Sequence, residues 1–383
     1  MFQKLDRNLR LLTGRKDMIY GGIHIVFTGD FMQLKPVQGT PIYNSFDDIL
    51  WHQSLNAAVF LDDRNHRFIN DPRWGEILQR AQKGVVTDDD IRIINERLLS
   101  KVQLPNSIDC NSTRFVYGCY SNKKRNQLTE AAFLKFVTTN NPKYTSMEEP
   151  STTCLIIKGM ITKQKRDVGE DFHKLVWAAL GDDNITSGTA VKVDPCLKLI
   201  KGCAIMVNQN IDRKQGIVKG AMGNFAGVKW KTGKTPHIED YHGYKVYCAE
   251  PDDIEYMVIK MKTEQKYIKL DFQEMPVSIK FPGCNNKNVL KGYHIKQFPI
   301  NLALAITGHK LQGMTVDILI LSEINLTSNW LYVLLSRVTT LEGLFLMEPL
   351  RKNMFKPIEK HLKQELEFLR QKEQELLLQI NSV

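Results

Sequence analysis

Apolar residues recur along this chain in two rhythms. Over residues 71–98 the spacing is helical. Asp71-Pro72 opens a predicted helix with Trp74, Ile77, Leu78 and Ala81 on one face, and Thr87 caps a second with Ile91, Ile94 and Leu98 in register. Elsewhere continuous apolar runs of strand length appear: IHIVFT (23–28) after Gly21-Gly22, AVFL (58–61), TRFVYG (113–118), DILILS (317–322) and GLFLME (343–348). Runs without a polar face predict strands buried on both sides. Helices over 46–56, from Ser121 to about Val137 and from Thr327 to about Val338 complete an alternation that predicts a parallel, doubly wound α/β sheet. Leucine spacing near the N-terminus suits a short amphipathic helix, and FKPIEKHLKQELEFLRQKEQELLLQI near the C-terminus one long charged helix.

Between 203 and 295 the rhythm changes. CAIMVN, GIVKG, FAGVKW, KVYCAE, EYMVIKM, YIKLDF and VSIKF are short β-type runs separated by Gly, Asn and Pro, the pattern of a small antiparallel barrel or sandwich. Residues 196–300 hold 17 Lys and Arg against 10 Asp and Glu, which supplies most of the net charge of +10 and favours a polyanionic partner. The interleaved Trp230, Tyr241, Tyr244, Tyr247, Tyr256, Tyr267 and Phe272 could stack on bases, although aromatics in a small barrel are mostly core. No apolar run approaches the ~20 residues of a bilayer span, and the N-terminus lacks an apolar signal core. Cys110, Cys119, Cys154, Cys196, Cys203, Cys248 and Cys284 form no C-x-x-C pair, which argues against a zinc ribbon or disulfide framework and fits a reducing compartment. His237, Glu239, Asp240 and His242 read as a solvated loop rather than a metal site.

Candidate chemistry is concentrated in a few strings. In GDFMQLKPV (29–37), Asp30 and Gln33 follow a predicted buried strand, where open α/β sheets place their ligands; Gly29-Asp30 alone would be a tight turn. AITGHKLQGMT (305–315) gathers Thr307, His309, Lys310, Gln312 and Thr315 around Gly313, whose missing side chain allows a close backbone approach. LYVLLSRVTTLEGL (331–344) ends an apolar helix on Ser336 and Arg337, where an arginine could also satisfy C-terminal carbonyls. RNHRF (64–68) offers Arg67, or second to it Arg64, between a strand and a helix. No G-x-x-x-x-G-K-[ST] loop occurs, hence no such cradle for phosphates and no hydroxyl for magnesium.

In this order and spacing the strings resemble motifs III, IV, V and VI of superfamily 1 DNA helicases. Residues 194–228 resemble the lead into the SH3-like 2B insertion of the Pif-type (petite integration frequency) enzymes, those of transposons and large DNA viruses above all. The resemblance runs from about Gly21 to Leu350. It implies ATP-driven 5′-to-3′ translocation on single-stranded or forked DNA, by a monomer, in repair, recombination or telomere maintenance and hence in the nucleus. ATP and Mg2+ are the implied cofactors. Gln33 becomes a phosphate sensor, with Asp30 and Gly313 beside the nucleotide. Arg67 and Arg337 become phosphate-contacting arginines, Arg337 the finger, a group that can be worth ~10³–10⁵ in rate. Lys35, Thr307, His309, Lys310, Gln312 and Thr315 become nucleic-acid contacts. Lys35 replaces a usual proline and Gly308 a usual β-branched residue. The implied fold is RecA-like: residues 1–62 the end of domain 1A, 63–208 and 296–350 domain 2A, 209–295 the SH3-like insertion 2B, and 351–383 a C-terminal helix. Motifs I, Ia and II should precede residue 1, so the expectation is a truncated motor, inactive as an ATPase alone, with an exposed apolar sheet edge. The alternative is a non-enzymatic single-stranded DNA-binding remnant.

Overall fold

The computed structural model describes residues 2–36, 39–44, 49–61, 66–104, 115–164, 166–181, 194–261, 266–279, 290–327 and 329–381. Arg64, Cys110 and Cys284 lie outside the described residues. Helices span Phe2–Thr13 (α1), Ile49–Ser54 (α2), Pro72–Lys83 (α3), Asp88–Asn95 (α4), Asn122–Asn140 (α5), Glu170–Gly181 (α6), Gly308–Leu311 (α7), Trp330–Leu335 (α8) and Lys360–Asn381 (α9). Strands span Phe115–Cys119 (β1), Cys154–Lys158 (β2), Met160–Lys163 (β3), Arg166–Asp167 (β4), Cys196–Ile200 (β5), Ala204–Val207 (β6), Met222–Trp230 (β7), His237–Tyr241 (β8), Tyr244–Ala249 (β9), Ile254–Met261 (β10), Tyr267–Leu270 (β11), Gln273–Ile279 (β12), Leu290–Gln297 (β13), Ile300–Leu302 (β14), Ala305–Thr307 (β15), Ile318–Leu321 (β16) and Leu344–Leu346 (β17). The chain forms two compact units, residues 1–96, 325–341 and 350–383 in the first and 97–324 and 342–349 in the second.

Local signals set the helices of the first unit. Asp71 accepts the Trp74 N–H at 3.0 Å with Pro72 behind it, which satisfies an orphan donor at the start of α3. α3 stops at Gly84, φ 69°, where an added Cβ would lie 2.3 Å from the Lys356 carbonyl oxygen. Thr87 and Asp90 cap α4 reciprocally at 3.1 and 2.8 Å. Trp74, Ile77, Leu78 and Ala81 are buried as their spacing requires, whereas in α4 Ile93 rather than Ile91 joins Ile94 inside. The Trp74 indole donates to the Val338 carbonyl at 3.4 Å, tying α3 to the segment that follows α8. That helix begins at Trp330, preceded by Asn329 in the left-handed region, later than the expected start at Thr327.

The strands expected at 23–28 and 58–61 do not form. Val26 is 86% exposed and Leu61 91%. A buried strand needs neighbours for its N–H and C=O groups, and among the described residues the first unit contains no strand. Lys35, Trp51, His52 and Phe60 are held instead by glutamates in and just ahead of α9. Glu359 pairs with Lys35 at 2.5 Å, Glu365 accepts from the Trp51 indole at 2.8 Å and lies 3.2 Å from His52, and Glu373 accepts the Phe60 N–H at 2.7 Å.

The second unit holds the parallel sheet, ordered β15-β1-β16-β17. Val116, Leu319, Ile320, Leu344 and Leu346 are fully buried, as expected of strands without a polar face. Ser121 caps α5 by accepting the Lys124 N–H at 3.1 Å. The remaining strands form three sheets, β11-β10-β7-β6-β14, β12-β13-β3-β4 and β5-β2-β9-β8. Strands from residues 209–295 enter all three and, among the described residues, pair with β6, β2 and β3 from outside that range. GIVKG forms a turn with one bridge, Asp212 to Ile217. His237–Tyr241, expected as loop, is a strand because β9 supplies its ladder. The hairpin closes on His242 and Gly243 at φ 53° and 83°, the two positive values a type I′ turn needs. No group of three or more potential metal ligands occurs among the described residues, and none of their helices is long and apolar enough to cross a membrane.

Candidate functional site

In the first unit Asp30 organises a turn. Its carboxylate accepts the Met32 N–H at 2.8 Å, its carbonyl accepts the Gln33 N–H at 3.2 Å, and the Gln33 amide nitrogen lies 3.5 Å from the second carboxylate oxygen. Met32 plugs the turn into a small core with Tyr43 and Leu362, against which Phe31 and Tyr332 pack. Asp30 itself stays exposed. An apolar anchor thus fixes a polar loop.

Arg67 and Arg337 meet in the same unit. Arg67 donates to the Arg337 carbonyl at 3.2 Å. Arg337 is 6% exposed; it donates to the Val333 carbonyl and to Ser336 Oγ, each at 2.6 Å, so it does serve the helix terminus. Burial pulls its guanidinium down to about 10, the Arg67 charge adds to that, and Tyr332 and Asp30 oppose it. Arg67 is lowered by burial too, with Tyr332 opposing. The Tyr332 phenol moves up through burial and the Asp30 charge, against both arginines. Asp30, Arg67, Tyr332 and Arg337 are therefore one electrostatic cluster. Two guanidinium groups crowded in a desolvated space are stabilised by an anion between them, and phosphate matches their geometry. Tyr332 was not singled out from sequence. Its signal is its place on the helix that leads to Arg337, but a tyrosine in an apolar helix reads first as core.

The second unit holds the 305–315 loop. Thr307 ends β15 opposite Cys119, at the carboxyl edge of the parallel sheet. α7 follows, anchored by the fully buried Leu311, and the Gln312 and Met314 N–H groups return to Gly308 and Leu311 at 3.1 and 2.9 Å. Gly313 has φ 83° with open space where a Cβ would stand. His309, Lys310 and Thr315 are exposed, Thr307 and Gln312 half-buried. Lys310, Gln312, Gly313 and Met314 form one wall of a groove of about 500 Å³; Lys219 and Gly220 are on the other wall. Although the Lys310 side chain reaches water, the surrounding protein and then Arg125 and Lys219 hold its ammonium below the usual lysine range. Arg125 and Lys219 went unnoticed in the sequence because only the tertiary fold brings them to Lys310.

The structure thus brings Asp30, Gln33, Arg67 and Arg337 together in the first unit and the 307–315 residues together in the second. Lys35 is held by Glu359. Gly233-Lys234-Thr235 spells the end of a phosphate loop, but it lies between two strands, with no helix N-terminus behind it, and Lys234 pairs with Asp253 at 2.8 Å. It does not fit magnesium or the inner phosphates of ATP.

No family model matches the chain. The ATP-dependent DNA helicase PIF1 of Xenopus laevis is 24% identical over 353 residues, an alignment covering 91% of this chain and 44% of the frog protein. The chain is similar in sequence to Pif1-type helicases. A second relative, uncharacterized protein 030L of Invertebrate iridescent virus 6, is also 24% identical, over 90% of this chain and 68% of the viral one. The crystal structure of the Bacteroides Pif1 helicase in complex with ADP-AlF3 and single-stranded DNA superposes with a TM-score of 0.58 at 20% identity, covering 96% of this chain and 72% of that one. The chain therefore shares the RecA-like α/β fold of that enzyme, as its motifs imply. It spans less than half the length of the frog helicase.

Proposed function

We propose that this chain is motor-core sequence of an ATP-dependent DNA helicase of Pif type that translocates 5′ to 3′ on single-stranded or forked DNA. The observation that carries the reading is the meeting of Asp30, Arg67, Tyr332 and Arg337 in one electrostatic cluster. In that reading Arg67 and Arg337 hold the terminal phosphate, and Arg337 stabilises charge on the transferring phosphoryl group. Gln33 reports the phosphate to the 30–35 turn. Thr307, His309, Lys310, Gln312 and Thr315 hold the DNA backbone, with Gly313 giving the close approach. The frog relative is named an ATP-dependent DNA helicase, and the Bacteroides enzyme was crystallised with ADP-AlF3 and single-stranded DNA, which supports both ligands. A monomer, work in the nucleus, and the domain boundaries inferred from the motifs belong to the same proposal.

Magnesium and the inner phosphates find no matching ligands in either cluster, and the 383 residues hold no G-x-x-x-x-G-K-[ST] loop. The expected result for this polypeptide alone is no phosphate release above background, with or without single-stranded DNA. Turnover that disappears in Arg337→Ala would refute that expectation and show a phosphate cradle of another kind. The placement of Gly233-Lys234-Thr235 between strands favours a second reading, a single-stranded DNA-binding protein without a motor. Binding of single strands that ADP-AlF3 leaves unchanged, in wild type and Arg67→Gln alike, would select it.

A further inference from the structure

The outer face of the β7–β10–β11 sheet carries a pattern that neither cluster uses. On the β7 side Lys229 stands beside Tyr256, Gly227 beside Val258 and Asn224 beside Lys260. On the β11 side Lys269 stands beside Val258 and Tyr267 beside Lys260. Ile254, Met257, Ile259, Met261, Ile268 and Leu270 are buried, so these partners occupy the opposite face. Lys269 Nζ lies 4.2 Å from the Tyr256 ring centroid and Lys260 Nζ 5.9 Å from that of Tyr267, and Tyr267 is 62% exposed.

Charge and relief agree on what this face accepts. Among the described residues, the nearby lysines that pair with acids are Lys234 with Asp253 and Lys296 with Asp252, which leaves Lys229, Lys260 and Lys269 out of any ion pair. Glu255 and Asp271 are the exposed acids on or beside these strands. Gly227 and Val258 give the middle row low relief, and nothing stands within 4 Å of a Cβ added to Gly227. Four residues along β10, from Tyr256 to Lys260, correspond to ~13 Å, the reach of a few extended nucleotides. A duplex hides its base faces, whereas a single strand offers them to exposed rings.

We propose that this face is a second track for single-stranded nucleic acid, with bases stacked on Tyr256 and Tyr267 and phosphates neutralised by Lys229, Lys260 and Lys269. The proposal rests on the DNA reading above and adds a surface outside the 305–315 groove. The test titrates a fluorescent oligothymidylate into the full chain at several salt concentrations. Variants are Tyr256→Ala with Tyr267→Ala, the same pair to Phe, Lys229→Gln with Lys260→Gln and Lys269→Gln, and Lys310→Gln. The Ala pair should weaken binding about tenfold or more, and the Phe pair should restore it because the ring and not the hydroxyl stacks. The triple lysine variant should lower the salt slope by about two. Wild-type affinity and slope in both sets, with binding still weakened by Lys310→Gln, would overturn the second track and leave the helicase reading standing. Failure of the wild type to bind would sink both. Displacement of the oligonucleotide by polyglutamate at equal charge would overturn the stacking role and point to an acidic protein segment instead. Circular-dichroism melts matching the wild type exclude misfolding as the cause of any loss.

Discussion

The arginine pair of the first unit and the groove of the second both collect positive charge, in opposite surroundings. Arg337 is 6% exposed and bonded to Val333 and Ser336, and Arg67 crowds it; His309 and Lys310 face water on a loop anchored by Leu311. Salt at 0.1 M screens exposed charges beyond about 10 Å, while a buried pair is screened far less. The first arrangement suits recognition of one phosphate group at a fixed place. The second suits a polymer that must be held, released and held again. In the proposed function, positive charge would thus serve unlike tasks according to how much water reaches it.

The largest break in this comparison should come from Trp74→Ala. The side chain is 1% exposed and its indole bonds Val338 between α3 and the motif that carries Arg337. Deleting a buried tryptophan costs about 3–5 kcal/mol. Urea denaturation should show that loss, and any response to anions in the first unit should go with it. Sulfate probes the arginines directly. At tenfold its Kd, an anion bound only by the folded chain stabilises by about 1.4 kcal/mol. A thermal shift in sulfate over chloride at matched ionic strength is expected in wild type and Lys310→Gln, and none in Arg67→Gln. An equal shift in all three would mean the pair is not an anion site. The smallest effect sharpens the other side. Lys310→Gln should flatten the salt slope of single-strand binding by about 0.7, uniformly across sequences, and Arg67→Gln should leave that slope alone.

Short-range signals were legible in the sequence and long-range ones were not. Asp71-Pro72, Thr87 and Ser121 start helices where expected, because a cap is settled by bonds within one turn. DILILS and GLFLME form strands because each has a neighbour in the parallel sheet. IHIVFT is as apolar but forms none, since hydrophobicity supplies no ladder partner. The polar run His237–Tyr241 became a strand for the converse reason, and His242-Gly243 was its overlooked turn signal. The site divides likewise. Gln33, Arg67, Lys310 and Arg337 stood out within their strings, while Tyr332, Arg125 and Lys219 gain meaning only from elements far away in the chain.

The grip of α9 and the adjoining Glu359 on Lys35, Trp51 and Phe60 sets an order of events during synthesis. A ribosome delivers Lys35, Trp51 and Phe60 more than three hundred residues before Glu359, Glu365 and Glu373. Chains fold vectorially as they emerge, so the second unit, almost entirely continuous in sequence, is complete while the first still waits for its closing helix. Until α9 has emerged, Trp51 and the apolar run 58–61 lack Glu365 and Glu373 to hold them, and that run stands open to a nascent-chain chaperone.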